Sequence, residues 1–477
     1  MPRGISRRQA LGVGLTVAGA AAATAVVSRT AFAGTDPAAA AGVDAAAVPA
    51  AVSADDLPWQ AAKDIVAATT LPRIPDVNFD ATTYGVKGDG KTDNTAAFKA
   101  AVTAVNAAGG GHLVVPSGTY VTGAIYLKSF VDLHLNSGAT LKFSGDSSKY
   151  PTVLTRYEGI ECMNRSPMIY AHGETDIALT GSGTLDAGGT SSWNKGSDRA
   201  YLESLISSGK TDPAQRVVPG SGHSMRSTFV EPYSCDRVLI QGVTLKNPMF
   251  WQLHPTLCRW VTVDSVHTDP STAHSNTDGC DPECCDHVVI KNCVLGAHDD
   301  NIAIKSGRDA DGRRINKPTT NVVVFGCTMN GNWGAITCGS EITGGVSNVY
   351  AYKCTITGDT KFALYMKTNT QRGGGATNVN LDSFTGAPTR NFAFVTSTYN
   401  SQTGSQKMNF GGITISNCST TKVPKVFDVS GTSSYHVHGF TVSNCNFNGV
   451  GSTGNTWNYV DNRVFTNVKE NGKTVSK

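Results

Sequence analysis

One short pattern recurs along the second half of the chain and limits what it can fold into. The segments Val238–Val243, Val261–Val266, Val288–Cys293, Val322–Cys327, Val349–Cys354, Val379–Phe384, Ile413–Cys418 and Phe440–Cys445 each open apolar at the first and third places. A mostly small or polar pair follows, and each segment closes on Val, Cys or Phe. Period-two alternation is the mark of a strand with one buried face, and the polar pair after it marks a bend. Successive segments start 23, 27, 34, 27, 30, 34 and 27 residues apart. Recurrence that is sustained but uneven is what stacked coils with variable loops produce. A β-propeller would need longer periods and about four strands per blade. The expected fold is therefore all-β, a right-handed parallel β-helix. Upstream, Asp93-Asn94-Thr95 followed by Ala96–Val102 reads as an N-cap and a short amphipathic helix able to cap the open end of the solenoid.

Charged residues make up 16% of the chain and glycine 51 of 477 positions, which disfavours coiled coils and nucleic-acid binders. Residues 1–33 carry paired Arg7-Arg8, an apolar run and Ala31-Phe32-Ala33, the plan of a twin-arginine-type export signal. Removal of that segment, with four arginines and no acid, takes the formal charge from +3 to −1. The expected product is secreted and extracellular, with no membrane or nucleic-acid partner, and monomeric. Residues 34–75 read as an Ala-rich linker or N-terminal segment and 76–477 as the β-helix domain. Of the twelve cysteines, Cys293, Cys327, Cys354, Cys418 and Cys445 hold one place in the repeat and read as a buried stack. The remaining seven are open to pairing. Zinc is disfavoured because Cys284-Cys285 lacks the usual ligand spacing, and neither a metal nor a cofactor is expected.

Carboxylates collect in two places, Asn276-Thr277-Asp278 and Asp299-Asp300, separated by one strand segment. Coils stack at about the ordinary strand spacing of 4.8 Å, so Asp278, Asp299 and Asp300 are expected to converge. Trp333 follows Cys327 by six residues as Asp299 follows Cys293, which places the aromatic over the acids. Tyr365-Met366-Lys367 aligns with Ala303-Ile304-Lys305, so both lysines are expected at one flank, with Lys305 itself a solvated sheet residue. Crowded carboxyls raise one another's pKa and keep one proton near neutrality, which is what glycoside hydrolysis needs. Asp at turns and a calcium site are the alternatives, the second opposed by the lysines.

Asn276-Thr277-Asp278, Asp299-Asp300 and Tyr365-Met366-Lys367 resemble three signature motifs of glycoside hydrolase family 28, the polygalacturonases and their relatives. Similarity extends through Tyr84–Phe98, Gly181–Asp186, Phe250–Pro255, Gly339-Ser340-Glu341 and Arg372-Gly373-Gly374, over roughly residues 80 to 460. The resemblance implies a pectin lyase-like solenoid and an inverting hydrolase cleaving α-galacturonosidic bonds of anionic pectic polysaccharide. It implies Asp299 as general acid, Asp278 and Asp300 holding the attacking water, and Lys367 binding a sugar carboxylate. Asn276 is a further candidate substrate contact, although bonding within its own turn is the favoured reading, with a part in orienting Asp278. Two places depart from the family pattern: Asn332-Trp333-Gly334 stands for GHG, and Tyr365 replaces the arginine of RIK, so Trp333 and Tyr365 are candidate substrate contacts that leave a rhamnogalacturonan specificity open. The arginines of the 308–317 insertion read as a solvated rim that can meet an anionic chain end and favour exo action. A polysaccharide lyase and a non-catalytic glycan-binding solenoid remain the readings of another class.

Overall fold

The computed structural model describes residues 51–269 and 274–475. The expected export segment, 1–33, and the first part of the 34–75 linker lie outside the described residues. The chain winds as a right-handed parallel β-helix with three faces. One face is a 15-stranded sheet and the second a ten-stranded sheet. The third face joins a three-stranded and a six-stranded sheet through single bridges between Val230, Leu253, Cys280 and Ile302. That narrowing has a chemical cause. Pro232, Pro255 and Pro282 stand immediately beside these bridges on successive rungs and have no backbone N–H to extend the ladder.

The repeat maps directly onto the long sheet. Val238, Val261, Val288, Val322, Val349, Val379, Ile413 and Phe440 pair in register, and all are buried. Each such side chain contributes about 1.5–3 kcal/mol by leaving water. One residue earlier in each coil, a left-handed bulge turns the chain: Trp260, His287, Asn321, Asn348 and Asn378 have φ of 55–58°, and Gly412 and Gly439 take over where no side chain is needed. Asn tolerates this conformation, and here the amides also link coils, Asn348 to Asn321 at 3.0 Å and Asn378 to Asn348 at 2.9 Å.

All twelve cysteines are free and buried. The predicted stack is present, with Cys293, Cys327 and Cys354 on consecutive rungs and Cys418 beside Cys445. The other seven include no disulfide, contrary to the opening left for one. Cys235, Cys258 and Cys285 form a second stack, in which the Cys235 N–H donates to Cys258 Sγ at 3.4 Å. They act as small hydrophobes, and burial pushes the Cys338 thiol up to about 12, out of reach of the reactive thiolate.

The helix Thr95–Ala107 buries Phe98, Ala101, Val102 and Val105. The segment read as linker differs in its second half. The helix Gln60–Ala68 docks Ala62 and Ile65, with Leu57 just before it, on Val289, Val323, Phe325 and Tyr350 of the long sheet's outer face. Outward apolar residues at those rungs require a cover, and the chain supplies its own. No described helix is long and apolar enough to cross a membrane.

Candidate active site

The site lies on the narrowed third face, where two turns deliver carboxylates to neighbouring rungs. The Gln252 N–H donates to the Asp278 carbonyl, and the Gly279 N–H to the Asp300 carbonyl. Trp251, Asp278 and Asp300 therefore follow one another coil by coil. The Trp333 N–H donates to the Asp299 carbonyl at 3.2 Å, which places the indole one rung beyond that acid. Carboxylate oxygens of Asp278, Asp299 and Asp300 lie within 4.8 Å of one another.

The three acids have different surroundings. Asp300 is buried; one oxygen accepts the Gly334 N–H at 2.7 Å and the other the Lys367 ammonium at 2.9 Å. Glycine is required at 334, because a Cβ there would stand 2.0 Å from Thr337 Oγ1 and 3.0 Å from the Asp300 carboxylate. Asp278 is buried with Lys305 Nζ 3.6 Å from one oxygen, while its other oxygen has no partner. Asp299 is half-buried and accepts only backbone N–H groups, from Asp300 at 2.9 Å and Asn276 at 3.3 Å. It has no ion pair among the described residues. Burial, then the neighbouring Asp300 charge, raises the Asp299 carboxyl, and burial with the Asp299 charge raises Asp278.

Lys305 departs from expectation. It is buried, not solvated, and its ammonium sits 3.3 Å from Glu341, 3.6 Å from Asp278, 3.8 Å from Asp281 and 4.3 Å from the Trp251 ring centre. Burial opposes its charge, but Asp281, Glu341 and Asp278 raise its pKa above the ordinary lysine value. Lys305 and Lys367 lie two rungs apart with Gly339 between them. Both lysines point at the acids because they share that column. Burial would raise Glu341, yet Lys305, Arg372 and Arg308 hold it well below the usual carboxylate range. The three acids have the spacing for a cation, but Lys305 and Lys367 already bring two positive charges against Asp278 and Asp300.

The remaining sequence candidates fall as follows. Asn276 takes φ 56°, gives its N–H to Asp299 and accepts a hydrogen bond from Arg226 at 3.2 Å, so it orients Asp299 where orientation of Asp278 was expected. Tyr365 is buried, stacked on Phe394 with ring centres 5.4 Å apart, and carries the Lys367 ammonium 4.4 Å from its ring centre. Its ring lies against that lysine and is almost wholly withdrawn from solvent. Trp333 is partly exposed, with the Lys361 ammonium 3.6 Å from its ring centre. The arginines read as a solvated rim are partly engaged inside. Arg308 is buried against Glu158 at 3.1 Å and Glu203 at 3.1 Å, and Arg314 pairs with Asp311 at 2.8 Å. The helix Asp309–Ile315 holds them against the hairpin Thr152–Tyr157/Ile160–Arg165, whose tip, Glu158-Gly159, packs on Arg308 and Glu341. Lys361, Arg390 and the burial of Lys305 were missed, the first because the turn after Cys354 is one residue longer than the turn after Cys293 or Cys327.

Fold and site together define a class: a parallel β-helix with three carboxylates and two buried lysines gathered on one face. The family model for glycosyl hydrolases family 28 matches residues 107–466, and this chain belongs to that family. It is 30% identical over 302 residues to a probable polygalacturonase of Vitis vinifera, covering 61% of this chain and 57% of that protein. It is 28% identical to an exo-poly-α-D-galacturonosidase of Dickeya chrysanthemi, covering 65% and 54%. The chain thus spans little more than half the length of these curated relatives. Among solved structures, a hyperthermoactive exopolygalacturonase from Thermotoga maritima superposes with a TM-score of 0.81 at 32% identity, covering 87% of this chain and 96% of that one.

Proposed function

We propose that the protein is an exported, inverting glycoside hydrolase that cleaves α-galacturonosidic bonds of pectic polysaccharide from a chain end. The observation that carries the reading is the unequal treatment of the three acids: Asp278 and Asp300 each face a buried lysine, and Asp299 has none. Lys305 and Lys367 each hold one oxygen of Asp278 and Asp300, which suits those two acids to positioning water, while Asp299, raised by burial and by Asp300 and with no cation paired to it, suits protonation of the leaving oxygen. Lys367 supplies positive charge beside the reacting sugar, with Tyr365 beneath it. The exo reading rests on the hairpin tip and the helix Asp309–Ile315, which pack over the rungs beside the acids. The names of the Dickeya and Thermotoga relatives point the same way.

Inversion usually goes with carboxyl groups about 6.5–9.5 Å apart, one on each side of the sugar. Carboxylate oxygens of the three acids here lie within 4.8 Å of one another, nearer than that, so the stereochemical outcome is read from the products and not from the spacing. The direct test is the product profile on polygalacturonate. Galacturonic acid monomer is expected from the first samples onward, with reducing ends equal to bonds broken and no unsaturated sugar. Early mixed oligomers would refute end-wise action, and an unsaturated product would replace hydrolysis by elimination.

A further inference from the structure

Most cations around the acids are spoken for. Lys305 pairs with Glu341, Lys367 with Asp300, Arg308 with Glu158 and Arg372 with Glu341. Two are not. Neither Lys361 nor Arg390 has an ion pair among the described residues. Their positions follow from register: Gly334, Phe362 and Asn391 pair on successive rungs, so the preceding residues Trp333, Lys361 and Arg390 form a column. The Arg390 N–H donates to the Lys361 carbonyl at 3.1 Å, and the Lys361 N–H to the Trp333 carbonyl at 2.8 Å. With Trp333 bonded to the Asp299 carbonyl, the column begins at the general acid and steps away at about 4.8 Å per rung.

Each cation is held on aromatic surface. The Lys361 ammonium lies 3.6 Å from the Trp333 ring centre, and the Arg390 guanidinium lies 5.7 Å and 5.6 Å from those of Phe362 and Phe394. Such contacts fix a charge in place without neutralising it, which leaves its hydrogen-bond donors for an anion. Lys361 is only partly exposed, and burial lowers its pKa against the pull of Asp299 and Asp300. An unpaired, partly desolvated ammonium is costly unless an anion completes it.

We propose that Lys361 and Arg390 form a two-step cationic rail that receives the carboxylates of uronate residues on the C-terminal side of the acids. This rests on the hydrolase reading and deepens it. Tyr365 removes the positive charge that an arginine would bring beside Lys367, and the rail returns charge at the start of the same strand, with Lys361, and on the next rung, with Arg390. Specificity for an acidic chain is thereby built from residues in the turn, not from the strand position.

The test compares Lys361→Met, Arg390→Met and the double variant with wild type on oligogalacturonates of defined length and on the same oligomers fully methyl-esterified. Each single change is expected to raise KM for the acid form about tenfold, the loss of one charge-assisted contact, with kcat within about threefold. KM for the ester is expected to stay near that of wild type, and Lys361→Arg to retain most affinity for the acid. Equal effects on acid and ester, or no change in KM for the acid, would overturn the rail. Calorimetric binding of oligogalacturonate to Asp299→Asn, with and without Lys361→Met, reads the rail without turnover. If the wild type hydrolyses no galacturonan, the hydrolase reading fails by itself, and this binding comparison still decides the rail: weaker binding without Lys361 supports it, unchanged binding overturns it.

Discussion

Asp299→Asn is expected to lower kcat on polygalacturonate by about 10²–10⁴-fold while substrate binding stays close to that of the wild type, measured by steady-state kinetics and by calorimetry. The substitution preserves shape and keeps one oxygen, enough for the 2.9 Å bond from the Asp300 N–H, and gives up the longer 3.3 Å bond from the Asn276 N–H, which reaches the other oxygen. It removes the transferable proton. The sign of the pH dependence follows from the same surroundings. Burial and the Asp300 charge raise the Asp299 carboxyl, so the acid form persists further toward neutrality and activity falls as rising pH removes the proton. Asp300→Asn removes the repulsive part of that shift, and its residual activity is expected to fall at lower pH than that of the wild type. Equal losses of binding and turnover in Asp299→Asn would contradict its role.

The second large effect belongs to Lys305. Its ammonium is the buried cation nearest Asp278 and Asp281, and both oxygens of Asp281 lack hydrogen-bond partners. Lys305→Met leaves Asp278 and Asp281 buried with no cation at hand and weakens the hold on Glu341. Removing one partner of a buried pair typically costs about 3–5 kcal/mol. A lowered midpoint of thermal or denaturant unfolding is expected, together with a large loss of kcat, because the ammonium that holds Asp278 is gone. Lys305→Met with Asp281→Asn is expected to regain much of the stability and little of the activity, because Asp281 is relieved and Asp278 is not. Recovery of both together would mean that Lys305 serves the fold alone.

The column of Val238 through Phe440 was legible because strand periodicity survives any loop length, and register follows from it. The convergence of Asp278, Asp299 and Asp300 was legible for the same reason, as was Trp333, since Cys293 and Cys327 precede equal turns. Lys361 was not, because one added turn residue makes counting from Cys354 arrive at Thr360. The burial of Lys305 was not legible either: its cover comes from Glu341, on the next coil, and from Trp251, two coils earlier. Nor was the engagement of Arg308, whose partners Glu158 and Glu203 lie more than a hundred residues away on a hairpin and a helix outside the repeat. Repetition reveals what stacks on the solenoid. What folds back over it leaves no period to read.

In the proposed reaction Asp299 delivers a proton while Asp278 and Asp300 direct water to the sugar in a single displacement. Proton NMR of the reaction on an oligogalacturonate, recorded within the first turnovers and before mutarotation, reads this directly. The α-linked substrate is expected to yield the β-anomer first, with the α-anomer appearing only at the rate of spontaneous equilibration. First appearance of the α-anomer would mean a covalent intermediate on Asp278 or Asp300 and would contradict the assignment of both as water-holding carboxylates.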